Sequence, residues 1–284
     1  MTVAISTSLR EIVAGARLDF GDVLRSRWLP LSSGVYAVLA AGLVLVGLRE
    51  SSVLGFSGMG RVMLSFAHVL LVVLPLLALS ATVQVVARAR EDGTLELLFG
   101  QPLSRSSYLV SVTLVRYGVL LVPLAVLLFI MALIGGVAFG EDIPVAMLGR
   151  TLAVGAALLW AFVGIGVLVS VRTRHTAKAV VAGLVVWALA VAILDLGIVG
   201  LLLNLRLSPH AVFALAGANP VQAARLALLS GIEPDLGTLG PVGFFLAHQV
   251  GASGLLAYGL AWPLVVGTLA WAFALRSFSR GDLV

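Results

Sequence analysis

The chain has 284 residues, of which 61% are hydrophobic and 11% are charged, and its mean hydropathy is +1.13. A soluble domain is about half apolar and about a quarter charged, so this composition excludes soluble and disordered chains and predicts a membrane protein. The net charge of +5 fits the basic inner loops of a membrane protein, and we expect no nucleic-acid partner. Because the chain contains no cysteine, disulfides and thiolate chemistry are excluded.

Residues 1–29 predict an amphipathic helix that lies on the inner membrane surface. Apolar residues recur there at steps of three and four, with charged residues between them. The apolar positions are Leu9, Ile12, Val13, Ala16, Phe20, Val23, Leu24 and Trp28. Such a helix serves as a membrane anchor or as a lever beside a cytoplasmic partner, and the sequence leaves both interpretations open.

Six apolar stretches are long enough to cross a bilayer, which takes roughly 20 residues. They are 30–48, 64–87, 109–139, 147–171, 179–203 and 254–275. Of the 18 arginines and lysines, 12 fall on the side that carries both termini and five on the other, while Arg116 lies just inside the third stretch. The chain is therefore predicted to be one all-α transmembrane domain, 1–284, with both termini in the cytoplasm.

The longest cytoplasmic connection, residues 88–108, predicts a short helix. Asp92 can cap a helix over residues 94–99, and Gly100 with Pro102 can end it. That helix would expose four apolar side chains beside three acidic ones, namely Leu95, Leu97, Leu98 and Phe99 beside Glu91, Asp92 and Glu96. It can dock into a groove on a soluble partner or lie flat on lipid. The carboxylates argue against lipid, because anionic headgroups repel them.

The outer loop, residues 204–253, is longer than a simple connection between two helices requires. Asn219 followed by Pro220 predicts the start of a helix. The guanidinium of Arg225 can pair with a carboxylate of a periplasmic partner, or with Glu233 in the same loop. The loop is therefore expected to cover the outer mouth of the dimer or to meet such a partner, and the alternative is that it packs against its own subunit.

The sequence carries no catalytic constellation. Its only lysine, Lys178, lacks the glycine and hydroxyl neighbours of a phosphate-binding loop, and there is no zinc-protease or nucleophile-elbow motif. Asp195 falls inside a predicted span but near its outer end, which favours an interfacial carboxylate over a cargo ligand. Met59, Met63 and His68 are of a type that can bind Cu(I), although core packing explains them more simply.

The run Arg90-Glu91-Asp92-Gly93-Thr94-Leu95-Glu96-Leu97-Leu98, followed by Pro102-Leu103-Ser104-Arg105, resembles the signature of ABC-2 type transporter permeases. It stands between the second and third predicted spans, where that family carries it. The resemblance implies a type V exporter-like fold with an N-terminal connecting helix. It also implies a non-catalytic half-transporter that forms a homodimer and binds two copies of a separate ATPase, which hold the ATP and Mg²⁺. Residues 91–99 would then be the coupling helix that contacts the ATPase, consisting of Glu91, Asp92, Gly93, Thr94, Leu95, Glu96, Leu97, Leu98 and Phe99.

Within that family the chain is similar to the NosY-type permeases of the transporter that supports nitrous oxide reductase maturation. Three short runs carry this likeness: Leu54-Gly55-Phe56, Leu74-Pro75-Leu76, and Asn219-Pro220 followed by Ala224-Arg225-Leu226. The likeness implies export of a sulfur or copper species for a copper site, and a periplasmic accessory protein. The alternatives are an exporter of a hydrophobic small molecule or lipid, and a stand-alone secondary carrier.

Overall fold

The computed structural model describes residues 2–25, 30–39, 41–42, 58–101, 103–139, 145–193, 217–231 and 240–281. Within these ranges the regular structure is helical and contains no strand, so the expected all-α architecture is observed there. The helices are α1 (Thr2–Arg25), α2 (Pro30–Leu39), α3 (Gly58–Thr82), α4 (Val85–Glu91), α5 (Thr94–Phe99), α6 (Arg105–Phe139), α7 (Val145–Arg172), α8 (Thr176–Ala188), α9 (Pro220–Leu229) and α10 (Gly240–Arg280).

Four stretches within the described ranges are long and apolar enough to cross a membrane. They are His68–Glu91, Arg105–Leu133, Val145–Arg172 and Gly251–Arg280, and they correspond to the second, third, fourth and sixth predicted spans. Two shorter apolar helices, Pro30–Leu39 and Thr176–Val191, fall in the first and fifth predicted spans. Residues 40, 43–48 and 194–203 of those two spans lie outside the described residues.

The second predicted span is interrupted near its end, which differs from the single run expected over 64–87. α3 ends at Thr82, a turn occupies Val83 and Gln84, and α4 then begins. The first N–H groups of α4, like those of any helix, have no partner within that helix, and Gln84 supplies no side-chain cap for them. Ser170 of α7 takes that place, since its Oγ accepts from the N–H groups of Val86 (2.9 Å) and Ala87 (3.2 Å).

α7 forms the centre of the bundle and packs against α3, α6, α9 and α10. Half of its residues are buried, among them Leu158 and Phe162, which are fully shielded from solvent. These side chains join Leu74 and Leu124 from the neighbouring helices in one apolar cluster. The fourth predicted span therefore supplies the surface on which α3, α6, α9 and α10 are arranged.

Glycines bring α7 and α10 into backbone contact. A methyl group added at Gly267 would lie 2.6 Å from the carbonyl oxygen of Trp160 and 2.8 Å from Cα of Ala161. One added at Gly164 would collide with the carbonyl of Gly267. Small residues allow two membrane helices to approach this closely, so dispersion contacts hold the pair together.

The described part of the outer loop is helical and inserted among the longer helices. α9 is buried at seven of its ten residues and contacts α10, α7 and α3. As the sequence predicted, Asn219 caps this helix, with its Oδ1 accepting from the N–H of Val221 (3.0 Å), and Pro220 follows. Helical residues 240–250 precede a sharp break at Gly251, whose φ of 72° is accessible to glycine. Residues 220–229 of the loop thus pack against their own subunit.

Candidate functional site

The region that joins the second and third predicted spans, hereafter the 85–105 segment, consists of α4, α5 and the residues that lead into α6. α5 covers Thr94–Phe99, as predicted, but its cap is Gly93 and not Asp92. Gly93 adopts φ 70°, a left-handed conformation that costs glycine little, and this residue reverses the chain between α4 and α5. Asp92 instead ends α4, and its carboxylate lies 3.4 Å from the guanidinium of Arg88 at the surface.

The side chains of α5 divide into an inward and an outward face, so the expectation that all four apolar residues are exposed was wrong. Leu95 is buried among Val86, Leu109 and Ala274, and Leu98 is half-buried against the same cluster. The ring of Phe99 packs against other rings of the chain. Leu97 is the exception, with 76% of its surface exposed, and its neighbours Thr94 and Glu96 are also exposed. The outward face therefore presents one exposed apolar side chain, Leu97, with the acidic Glu96 beside it.

The ring of Phe99 fixes the end of α5. It meets the ring of Tyr108 edge-on at 5.9 Å between centroids, and that of Phe278 at 6.0 Å. Because Tyr108 begins α6 and Phe278 is near the end of α10, this aromatic cluster joins three helices at one end of the bundle.

The side chains of Arg90 and Glu91 contact the turn between α7 and α8. The guanidinium of Arg90 donates to the carbonyls of Thr173 (3.0 Å) and Val171 (3.4 Å) at the end of α7. The carboxylate of Glu91 accepts from the N–H (3.0 Å) and the hydroxyl (2.6 Å) of Thr176 at the start of α8. Nδ1 of His175 lies 3.7 Å from the same carboxylate. Neither contact was predicted from the sequence.

Two further charged groups bind backbone at the same end of the molecule. Nη1 of Arg105 donates to the carbonyls of Gly281 (2.7 Å) and Phe278 (3.2 Å), which closes the end of α10. The carboxylate of Glu11 in α1 accepts from the N–H of Ser104 (3.2 Å). Hydrogen bonds to Ser104 and then Ser107 stabilise the carboxylate, and they lower the pKa of Glu11 from its ordinary value.

α1 runs beside the first half of α6 and is fixed to it by a shielded ion pair. Nε and Nη2 of Arg116 lie 3.1 and 2.9 Å from the two carboxylate oxygens of Asp19, in a bidentate arrangement. Burial raises the pKa of the Asp19 carboxyl, and the guanidinium of Arg116 opposes that rise. The face of α1 that meets α6 carries Gly15, Asp19 and Val23, whereas the apolar stripe of Leu9, Val13, Phe20 and Leu24 points away from it. Packing against α6 therefore leaves exposed most of the apolar stripe that the sequence assigned to the membrane surface.

At the opposite end of the bundle, polar side chains hold α9. Nδ2 of Asn219 donates to the carbonyl of Ala190 (2.6 Å), within the π-helical turn Leu189–Ile193. Nε of Arg150 donates to the carbonyl of Ala227 (2.6 Å), at the other end of α9. Arg225 is half-buried, and its Nη1 lies 3.3 Å from Oε1 of Gln222. Glu233, the alternative partner predicted for Arg225, lies outside the described residues.

The remaining candidates from the sequence are only partly described. His68 is exposed near the start of the described side chains of α3, whereas the side chains of Met59 and Met63 and all of Asp195 lie outside the described part. Among the residues whose side chains are described, no three of the types His, Asp and Glu come together as a metal site. The groups that do converge are the helix-end contacts of the 85–105 segment.

Comparison with known proteins identifies the family of this chain. The family described as "ABC-2 family transporter protein" matches residues 13–283. The chain belongs to the ABC-2 transporter family. It is a multi-pass membrane protein and a permease component, the part of an ABC transporter that is not itself catalytic. Membership implies an ABC ATPase as partner.

Two curated relatives of this ABC-2 permease carry the description "Probable ABC transporter permease protein NosY". The relative from Stutzerimonas stutzeri is 30% identical over 267 residues, which covers 92% of this chain and 96% of the relative. The relative from Pseudomonas aeruginosa is 29% identical over 226 residues, covering 77% of this chain and 81% of the relative. The resemblance inferred from the short sequence runs is therefore confirmed along most of the permease.

Proposed function

We propose that this permease is a six-span half-transporter, and that the outward face of α5 is where its ATPase binds. The observation that carries the proposal is the division of the 85–105 segment into two faces. Arg90, Glu91, Leu95 and Phe99 hold the chain's own helices. Leu97 and Glu96 remain exposed. An apolar side chain beside a carboxylate fits a groove that is apolar at its centre and basic at its rim.

The test is co-purification of the tagged ATPase with permease variants. Leu97→Asp places a charge in the centre of the proposed contact, and Glu96→Lys reverses the charge at its rim, so both are expected to reduce ATPase recovery by at least tenfold. Arg17→Gln on α1 removes an exposed charge from outside the segment and serves as the control. Full recovery of the ATPase with both α5 variants would disprove the docking proposal.

Orientation and assembly complete the proposal. The positive-inside bias favours the inner membrane with both termini and the 85–105 segment in the cytoplasm. A twofold homodimer with two ATPase copies, and with the inner ends of the second and fifth spans near the seam, matches one permease to one ATPase. Closure of the ATPase pair around ATP and Mg²⁺ would then move the two α5 helices together and open a path outward.

For the cargo, we propose a sulfur or copper species used in maturing the copper site of nitrous oxide reductase. The likeness to two permeases described as NosY supports this assignment, because it extends over most of the chain. The test is complementation of a Stutzerimonas stutzeri strain that lacks its own permease, with its ATPase exchanged for the one that pairs with this chain. Restored nitrous oxide reduction supports the assignment. A correctly assembled transporter that restores none would favour another exporter cargo, such as a lipid.

An outer accessory protein is proposed to bind near Arg225. This side chain, with Gln222, is on the half-buried face of a helix that is otherwise enclosed. Arg225→Glu should weaken binding of the periplasmic partner while ATP hydrolysis and membrane insertion stay at wild-type levels. Unchanged partner binding would reduce Arg225 to a local contact of α9.

A further inference from the structure

We infer that Arg90 and Glu91 are positioning residues that join the 85–105 segment to the α7–α8 turn, so that α5 and the inner ends of the fourth and fifth spans move as one unit. This inference rests on the proposed function, because it assumes that an ATPase displaces α5. It assigns the two residues a task different from that of Leu97 and Glu96. Those two meet the partner, whereas Arg90 and Glu91 carry its motion into the membrane helices.

The chemistry of the contact follows from the polarity of helix ends. The last carbonyls of a helix lack partners within it and carry partial negative charge, and the first N–H groups carry partial positive charge. Arg90 meets the negative end of α7 through the carbonyls of Thr173 and Val171. Glu91 meets the positive end of α8 through Thr176. Two adjacent residues of opposite charge thus match two adjacent helix ends of opposite polarity.

The α7–α8 turn is short and depends on Arg90 and Glu91 for its helix-end hydrogen bonds. Three residues, 173–175, join α7 to α8, and the cap position of α8 is occupied by His175, whose side chain forms no capping hydrogen bond. Glu91 supplies the cap that the turn lacks, and Arg90 closes the end of α7. Both helix ends are therefore held by the same pair of residues, on a segment more than 80 positions earlier in the chain.

A third contact points the same way. Ser170, in the last turn of α7, accepts from the N–H groups at the start of α4. Contacts therefore run in both directions, since α7 caps α4 and the residues at the end of α4 hold α7 and α8. A displacement of α4 relative to this turn would have to break all of these hydrogen bonds, and α5 is tied to α4 because Leu95 packs in the same apolar cluster as Val86. Moving together breaks none of them.

The experiment measures the distance between the segment and α8 inside the complex. The native chain has no cysteine, so spin labels can be attached at Gln101→Cys and Ala177→Cys, both exposed. The distance is recorded in the reconstituted permease–ATPase complex without nucleotide and after trapping with ATP and vanadate. In the otherwise unchanged permease we expect one narrow distribution that is the same in both states.

The variants separate positioning from docking. Arg90→Ala and Glu91→Ala should still co-purify with the ATPase, while trapping shifts or broadens the distance distribution. Glu91→Gln, which keeps an oxygen that can accept from Thr176, should restore part of the wild-type behaviour. Arg172→Gln removes an exposed positive charge at the same turn and is the matched control. Glu91→Gln and Thr176→Val also keep the test valid if the alanine variants do not fold.

Three results would overturn the inference. The first is a distance that changes on trapping in the unaltered complex, and the second is an unchanged distance in both alanine variants. The third is loss of the ATPase from Glu91→Ala, which would make Glu91 a docking residue. Failure of the otherwise unchanged permease to recover the ATPase would instead refute the proposed function itself, so the two failures are distinguishable.

Discussion

Neighbouring leucines in α5 have opposite environments, although the sequence presents them as equivalent. Leu95 is 1% exposed and Leu97 is 76% exposed. Leu95→Ala should lower the free energy of unfolding by about 2–5 kcal/mol, because it removes buried methyl groups and leaves a cavity. Leu97→Ala should change it by less than about 0.5 kcal/mol. Thermal unfolding of the purified permease measures both, and equal effects would contradict this assignment of faces.

Single residues also mark the limit of what the sequence alone could predict at this site. The position of α5 was predictable, because Gly and Pro bound a short apolar run. The cap was assigned to Asp92 although Gly93 follows it, and a glycine that takes a positive φ was the better signal. The partners of Arg90 and Glu91 lie more than 80 residues away, and local pattern cannot reveal them. For Arg116 the sequence does carry a signal, because a charge inside an apolar run requires a counter-charge, although that signal does not identify the partner.

Helix α7 depends on glycines where it meets α10, and this dependence can be tested element against element. Gly267→Ala would force a methyl group against the backbone of Trp160 and Ala161, which we expect to cost about 1–3 kcal/mol or more. Gly149→Ala, in α7 itself, has no atom within 4 Å of the added methyl and should be neutral or stabilising by up to about 1 kcal/mol. The melting temperatures of the two variants should therefore change in opposite directions or by clearly different amounts.

The attachment of α1 to α6 through Asp19 and Arg116 leads to a second prediction at the scale of elements. Arg116→Leu leaves a shielded carboxylate without its counter-charge, and we expect a loss of about 3 kcal/mol or more. The double variant Asp19→Leu with Arg116→Leu should recover most of that loss, because it leaves no buried charge. As a control, Arg88→Leu breaks an exposed pair and should cost less than about 1 kcal/mol.

A double variant no more stable than Arg116→Leu alone would show that the pair does not act as a unit. Thermal unfolding of the wild type, the single variants Asp19→Leu and Arg116→Leu, and the double variant provides the complete cycle.

The helices themselves were largely predictable, since runs of apolar residues and capping signals such as Asn219-Pro220 are local. The interruption between α3 and α4 was not, because it depends on a serine of α7 that satisfies the freed N–H groups. The sequence likewise made no prediction of the contact between α1 and α6. Apolar periodicity identifies a helix, but a small residue and a charged pair decided which side meets α6.

For the whole molecule, the proposed homodimer predicts where two copies meet. α8 exposes Val181, Leu184 and Val185, which no other described helix covers. Val181→Cys should form a disulfide-linked dimer in membranes, whereas Val122→Cys on α6, a valine of equal exposure, should not. Gel mobility without reductant measures the outcome. Crosslinking at Val122 alone, or a complex with one permease for two ATPases, would contradict this arrangement.

The helix-end contacts also determine when the 85–105 segment can fold during translation. The N–H of Val86 can bond to Ser170 only after 84 more residues have been synthesised. The guanidinium of Arg105 can bond to its carbonyl partners only after up to 176 more. At about 5–20 residues per second, the second interval is roughly 10 to 35 seconds. During this time the 85–105 segment is already translated but lacks the helices that shape it. A truncated or stalled chain would therefore lack these contacts, and its 85–105 segment, including α5, would be incomplete. The order of synthesis would thus distinguish complete chains from incomplete ones.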